Sequence, residues 1–195
     1  MRGIKLVLPC LAVAALLAAP AWAGGPCCDK AKAENGWCSH CVVGYFSGIT
    51  VKNEDLHKAL GGKPVKEADL KCAGCKTAFT ANGICEHCHV GYAQQLMYQS
   101  PVAHALARGE KLDIAKVTCA DCKAVASTNG WCTKCNAGIV AGHLFKNKET
   151  YEKARAAHTT LTSAVESKCP KCAVAMVTDG ECAQCKVRYK GGKKV

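Results

Sequence analysis

Past its first two dozen residues, this 195-residue sequence has no apolar run long enough to cross a membrane, and only 6% of its residues are aromatic. A spanning helix needs about 20 predominantly apolar residues, so no membrane span is expected after signal cleavage, and a soluble exported protein is favoured over a membrane one. No Ser-His-Asp set, carboxylate pair or phosphate-cradling glycine loop stands out. With no such constellation, the chain is read as a non-enzyme.

The first residues have the pattern of an export signal. Arg2 and Lys5 supply positive charge, Leu6 to Ala19 an apolar run, and Ala21-Trp22-Ala23 a small-x-small cleavage site. The mature chain is expected to begin at Gly24 and to be periplasmic or secreted. Gly25-Pro26 ahead of Cys27 does not resemble the segment that precedes a lipidated cysteine.

What the sequence has in abundance is cysteine: 17 in all, of which 16 remain once Cys10 leaves with the signal. Cys72-Ala-Gly-Cys75, nine residues, then Cys85-Glu-His-Cys88 recurs as Cys119, Cys122, Cys132 and Cys135, and as Cys169, Cys172, Cys182 and Cys185. Cys28, Cys75, Cys122 and Cys172 are separated by 47, 47 and 50 residues, which marks a repeat. Asn82-Gly83, Asn129-Gly130 and Asp179-Gly180 precede the third cysteine of their units and suggest a tight hairpin turn. Two Cys-x-x-Cys knuckles joined in this way can enclose one tetrahedral ion.

The first unit, which ends in Cys38 and Cys41, is irregular. Its opening pair is the adjacent Cys27-Cys28, while the repeat calls for a cysteine at position 25, where Gly25 stands. Two readings are open: a site using Cys27 or Cys28 in a relaxed loop, or one completed by the new amino terminus at Gly24.

The formal charge of +11 falls to +9 without Arg2 and Lys5. Four divalent ions on four thiolates each carry −2 per site, which brings the loaded chain to about +1. A nucleic-acid partner is therefore not expected, although Lys71, Lys76, Lys123, Lys168, Lys171 and Lys186 flank the knuckles. Units of this size cannot bury enough apolar surface to fold unaided, whereas zinc can supply on the order of 10 kcal/mol.

Short helices are expected between units. Asn53 caps one over 54–60 with Gly61-Gly62 as its stop, Ser100-Pro101 opens one over 102–108, and a longer one covers 148–165. No helix follows unit 4, and 191–195 reads as a frayed basic tail. Tyr45, Tyr92 and Tyr189, with Ile139 in unit 3, are expected to cover the sites. His40 pairs with His87 and His57 with His104 at the 47-residue period, with His158 a looser counterpart; all read as solvent-facing or packed rather than as ligands.

Other chemistry competes for these cysteines. Eight disulfides could staple an exported chain, and Cys85-Glu-His-Cys88-His89 reads as a c-type haem motif without counterparts in the other units. Thioredoxin-like redox chemistry needs the motif at a helix N-terminus after a strand, and that context is read as missing here.

On these residues the chain resembles the short zinc ribbons, including the double zinc ribbon and rubredoxin-like groups. It departs from them in lacking a glycine after the first knuckle, where Lys76, Lys123 and Ala173 stand. The resemblance implies structural zinc, up to four ions, with iron possible, and a role in binding rather than catalysis. The expected architecture is a small metal-stabilised α+β chain: signal 1–23, ribbons at 24–50, 72–93, 119–142 and 169–190, helical connectors at 51–71, 94–118 and 143–168, and tail 191–195. The expected function is an exported zinc-binding scaffold that engages another, unidentified protein. A periplasmic heavy-metal buffer or metal-tolerance protein is the alternative.

Overall fold

The computed structural model describes residues 25–195. The export signal, Cys10 and the Gly24 amino terminus therefore lie outside the described residues. Among those described, no helix is long and apolar enough to cross a membrane.

Each unit is a short helix followed by a three-stranded antiparallel meander. Unit 1 has a 3₁₀ turn at Pro26–Cys28, α1 (Asp29–Ala33), β1 (Trp37–Cys38), β2 (Val43–Phe46) and β3 (Ile49–Val51), then the connector α2 (Glu54–Leu60). Unit 2 adds β4 (Lys63–Pro64), α3 (Ala73–Thr80), β5 (Ile84–Cys85), β6 (Val90–Ala93) and β7 (Leu96–Tyr98), then α4 (Pro101–Ala107). Unit 3 has β8 (Glu110–Lys111), α5 (Ala120–Ala126), β9 (Trp131–Cys132), β10 (Ala137–Val140) and β11 (His143–Phe145), then α6 (Lys148–Val165). Unit 4 closes with α7 (Pro170–Thr178), β12 (Glu181–Cys182), β13 (Val187–Lys190) and β14 (Lys193–Lys194).

The three connecting helices lie where the sequence places them, and their caps explain why. Asn53 Oδ1 accepts the Leu56 N–H at 3.2 Å, Ser100 Oγ the Ala103 N–H at 3.0 Å, and Asn147 Oδ1 the Thr150 N–H at 3.0 Å. Ser100 is fully buried, and its hydroxyl also donates to the Val177 carbonyl at 2.6 Å, which ties the start of α4 to the end of α7. On α6 the buried residues are Tyr151, Ala154, Ala157, Leu161 and Ala164, a stripe at helical spacing. Its small side chains let α4 and α7 pack closely on either side. These helices share one hydrophobic core, which includes Leu56, Leu60, Leu106, Leu161 and Val177 and lies apart from the cysteines.

Two expectations are corrected. The residues between the first and second cysteine pairs of a unit form a helix rather than one arm of a hairpin. Asn82 and its counterparts Asn35, Asn129 and Asp179 take φ of 48 to 53°, the left-handed residue that ends each helix, and Gly83 N–H bonds back to the Ala78 carbonyl at 2.7 Å. Asn-Gly suits a helix end as well as a hairpin turn, so the dipeptide alone does not separate them. The hairpin turns lie later: Ser47-Gly48, Gln94-Gln95, Ala141-Gly142 and Gly191-Gly192 have two successive positive φ values, as a two-residue hairpin loop requires. The second correction follows, because 191–195 is not a frayed tail. Gly191-Gly192 turns the chain so that Lys193 and Lys194 pair with Lys190 and Tyr189.

The meanders keep one register. Cys38 pairs with Val43, Cys85 with Val90, Cys132 with Ala137 and Cys182 with Val187. The second knuckle of every unit is thus the turn between the meander's first two strands. In units 2 and 3 a fourth strand, β4 or β8, joins the far edge beside β7 or β11.

Candidate metal centres

The sixteen cysteines of the described residues converge as four sets: Cys27, Cys28, Cys38 and Cys41; Cys72, Cys75, Cys85 and Cys88; Cys119, Cys122, Cys132 and Cys135; Cys169, Cys172, Cys182 and Cys185. Within each set all four Sγ atoms lie within 4.8 Å of one another. Four thiolates at a zinc–sulfur distance of about 2.3 Å stand about 3.8 Å apart. Cys72 and Cys85 are 3.9 Å apart, Cys169 and Cys182 3.9 Å, and Cys169 and Cys185 3.7 Å, so the donor sets fit a tetrahedral ion. All sixteen are unbridged, and the shortest of these separations is Cys27 to Cys41 at 3.3 Å, well above the roughly 2.05 Å of a disulfide.

The elements that place the ligands are the same in units 2 to 4. The first cysteine is the N-cap of the unit's helix, the second lies in its first turn, the third ends a strand, and the fourth lies in the following turn. The first is half-buried, the middle two are buried and the last is exposed. The first knuckle is therefore a helix N-terminus, which corrects the expectation that this context is missing, although a 3₁₀ turn and not a strand precedes it in units 2 and 3. The turn after the fourth cysteine needs a left-handed residue, and Val42, His89, Asn136 and Lys186 supply it with φ of 50 to 53°. His89 thus has a backbone role at the edge of its centre.

That helix terminus acts on the first thiol. The N–H of Cys75 faces the Cys72 sulfur without closing a cap bond, and it is the main influence holding that thiol down to about 7; Cys122 acts likewise on Cys119 and Cys172 on Cys169. The last thiol is displaced the other way. Cys88 is pushed up to about 12 through its bonds to Cys75 and Cys72, and Cys185 to about 12 by Cys172 and Cys169. One sulfur of a set can thus hold negative charge near neutrality while its neighbours donate to it.

Unit 1 builds its set differently. Gly25 is the N-cap of the 3₁₀ turn, the place Cys72 takes in unit 2, and Cys27 stands where unit 2 has Gly74. A Cβ added at Gly74 would already lie 3.0 Å from Cys85 Sγ, so that backbone position points into the centre. A cysteine there can replace one at the N-cap, and both Cys27 and Cys28 take part, rather than one or the other.

The aromatic positions cover the centres as expected. Tyr45, Tyr92 and Tyr189 are 4%, 2% and 5% exposed and pack on the cysteines of their own units. The Tyr45 and Tyr189 hydroxyls are pushed up to about 12, chiefly by the neighbouring sulfurs of Cys28 and Cys172, and that of Tyr92 is pushed up by burial and then by Cys75. Tyr45 Oη is buried and has no hydrogen-bond partner. In unit 3 the position belongs to Ile139, packed on Cys122 and Cys132.

The histidines stand aside. His40 and His87 are exposed, while His57 and His104 pack over Gly44 and Gly91 and reach the carbonyls of Asn35 and Asn82 at 3.0 and 3.3 Å. The counterpart in unit 3 is Tyr151 rather than His158: it packs over Gly138 and donates to the Asn129 carbonyl at 3.0 Å. The 47-residue period from His57 through His104 to Tyr151 carries this signal, but the change of residue type hides it.

No family model matches the chain, and no curated protein or solved structure matches it.

Proposed function

We propose that the chain is an exported zinc-binding repeat protein that holds up to four ions and serves as a scaffold for another protein. The observation that carries the metal reading is the convergence of sixteen cysteines into four sets, each with its sulfurs within 4.8 Å. Zinc is favoured over iron because it is the commonest occupant of closed four-thiolate sites. Four protein ligands leave no open position for substrate, which supports a non-catalytic role. Export is proposed from the charge, apolar run and cleavage pattern of residues 1–23.

One observation favours a second reading as a metal buffer. Cys88, Cys135 and Cys185 are exposed, so each regular centre presents a sulfur to incoming ions. The hydrophobic core between the connecting helices also contains none of these ligands.

Native mass spectrometry of the mature protein tests the metal reading: three or four ions are expected, with the mass per ion giving their identity. A metal-free chain lighter by two hydrogens per bridge overturns it. Chelator titration followed by circular dichroism separates the two roles. Loss of secondary structure together with metal supports the scaffold, and a folded metal-free chain supports the buffer.

A further inference from the structure

The residue before the third cysteine is Trp37 in unit 1, Ile84 in unit 2 and Trp131 in unit 3, each 47 positions after the last. Each tryptophan packs on the ring that its connecting helix lays over the meander glycine: Trp37 on His57 with centroids 5.5 Å apart, Trp131 on Tyr151 at 5.2 Å. In unit 3, Lys148 adds a cation 4.6 Å from the centre of the indole. His104 is the corresponding ring of unit 2, and Ile84 beside it does not fill the space an indole would take. A cavity of about 450 Å³ lies there, lined by Ile84, His104, Ala105 and Ala157, and by Pro101, which stands 47 residues before Lys148. That volume falls within the roughly 300–1,000 Å³ of small-molecule sites. Ile84 is 48% exposed, so its wall of the cavity is open apolar surface.

Charge is divided between the two ends of this cavity. Arg108 closes the C-terminal end of α4, where Gln94 donates to the Ala107 and Gly109 carbonyls at 2.9 and 3.0 Å. It makes no salt bridge among the described residues. Lys153 also lines the cavity but is paired with Glu149 at 2.6 Å. The acids Glu86 and Asp179 lie toward the other end. Glu86 follows β5, which runs antiparallel to β6 and so away from Gln94, and Asp179 lies just past Val177, whose carbonyl is tied to Ser100 at the start of α4.

We propose that this cavity binds a small aromatic carboxylate. Its ring takes the place that Trp37 and Trp131 fill in their own units, and its carboxylate pairs with Arg108. Unit 3 already joins a ring to a cation, Trp131 to Lys148; in unit 2 the ring comes from outside the chain. A guanidinium holds a carboxylate through two parallel hydrogen bonds, which selects an acid over a neutral ring. No cysteine lines the cavity, so the site does not depend on the metal reading.

The test is calorimetric titration of the mature full chain with 2-naphthoate, and with 2-naphthalenemethanol as the uncharged ring. Naphthoate is expected to bind once per chain and roughly tenfold more tightly than the alcohol. Arg108→Gln, at an exposed position, is expected to remove that difference and leave the alcohol unchanged. Ile84→Trp supplies the ring from the chain itself and is expected to abolish binding of both compounds. No binding of naphthoate, equal affinity for acid and alcohol, or full binding by an Ile84→Trp chain with the parent's circular dichroism overturns the proposal. Should Ile84→Trp fail to fold, the Arg108→Gln comparison decides alone.

Discussion

The hydroxyl of Tyr151 donates to the carbonyl of Asn129 at 3.0 Å, and 22 residues separate the two, as 22 separate His57 from Asn35 and His104 from Asn82. In each case the residue reaches from a connecting helix to the end of its unit's short helix, and its ring lies on a glycine of the meander. Tyr151 leaves no room for a Cβ at Gly138. Gly138→Ala is therefore expected to destabilise by about 1–3 kcal/mol through overpacking, and Tyr151→Phe by about 1 kcal/mol through the lost hydrogen bond. Denaturant unfolding of the metal-loaded chain measures both.

Unit 3 also indicates how to remove a pH dependence from unit 2. Burial, the largest influence, holds His104 below the ordinary value of 6.5 despite its contacts with the Asn82 and Tyr92 carbonyls. The unfolded chain then takes up a proton before the folded one does. The stability that depends on neutral His104 is complete above pH 6.5 and is lost as pH falls through the lowered native value. His104→Tyr, which copies the arrangement of Tyr151, is expected to shrink the fall in melting temperature between pH 7.5 and pH 5.5. His143 and His158 are shifted in the same direction and remain, so part of the fall persists. An unchanged fall would show that His104 does not contribute.

The four cysteine sets were legible in the sequence because ligand spacing is local: two cysteines three residues apart can present their sulfurs together whatever surrounds them. The connecting helices were legible for a similar reason, since Asn53 and Ser100 declare their caps within one turn. The helix between the knuckles was not. Nine residues with an Asn-Gly near the end fit a hairpin arm or two helical turns, and Cys72 as an N-cap is an unusual choice that gives no sequence signal. The role of Tyr151 was hidden because a long-range contact is conserved in geometry while the side chain that makes it changes. The strand at Lys193 and Lys194 was hidden by composition, because Gly-Gly-Lys-Lys reads as a tail until its glycines are aligned with Ala141-Gly142.

Val42 carries strain that Asn136, its counterpart in unit 3, avoids. It is β-branched, 62% exposed and held at φ 53°, where unit 3 uses Asn136. The left-handed region costs an ordinary L-residue roughly 1–2 kcal/mol. Val42→Asn is expected to stabilise unit 1 by about 1 kcal/mol and to slow metal loss from the first centre alone. Hydrogen exchange across 25–51 and metal-release kinetics would register it, and no change in either would count against the strain.

The ligand relocation in unit 1 is reversible by design. Gly25→Cys combined with Cys27→Gly restores the spacing of units 2 to 4. This double variant is expected to keep the full metal count, whereas Cys27→Gly alone is expected to lose one ion per chain. A native mass that shows the single variant fully loaded would mean that Cys27 is dispensable.

Asn35, Asn82, Asn129 and Asp179 each end a helix and then use Oδ1 to accept a backbone N–H twelve residues on, from Ser47, Gln94, Ala141 and Gly191, at 2.7 to 3.1 Å. The latch needs an acceptor, which an amide oxygen and a carboxylate oxygen supply equally well. Asn-Gly pairs are the sites where a chain ages fastest by deamidation, and three of the four latches sit on one. Asp179 already shows the aged side chain in place with its latch closed at 2.8 Å. Replacement of the other three by aspartate therefore adds negative charge to the surface without opening a meander, whereas ageing at Asn-Gly passes through a succinimide that opens mainly to isoaspartate, whose extra backbone methylene displaces the latch oxygen.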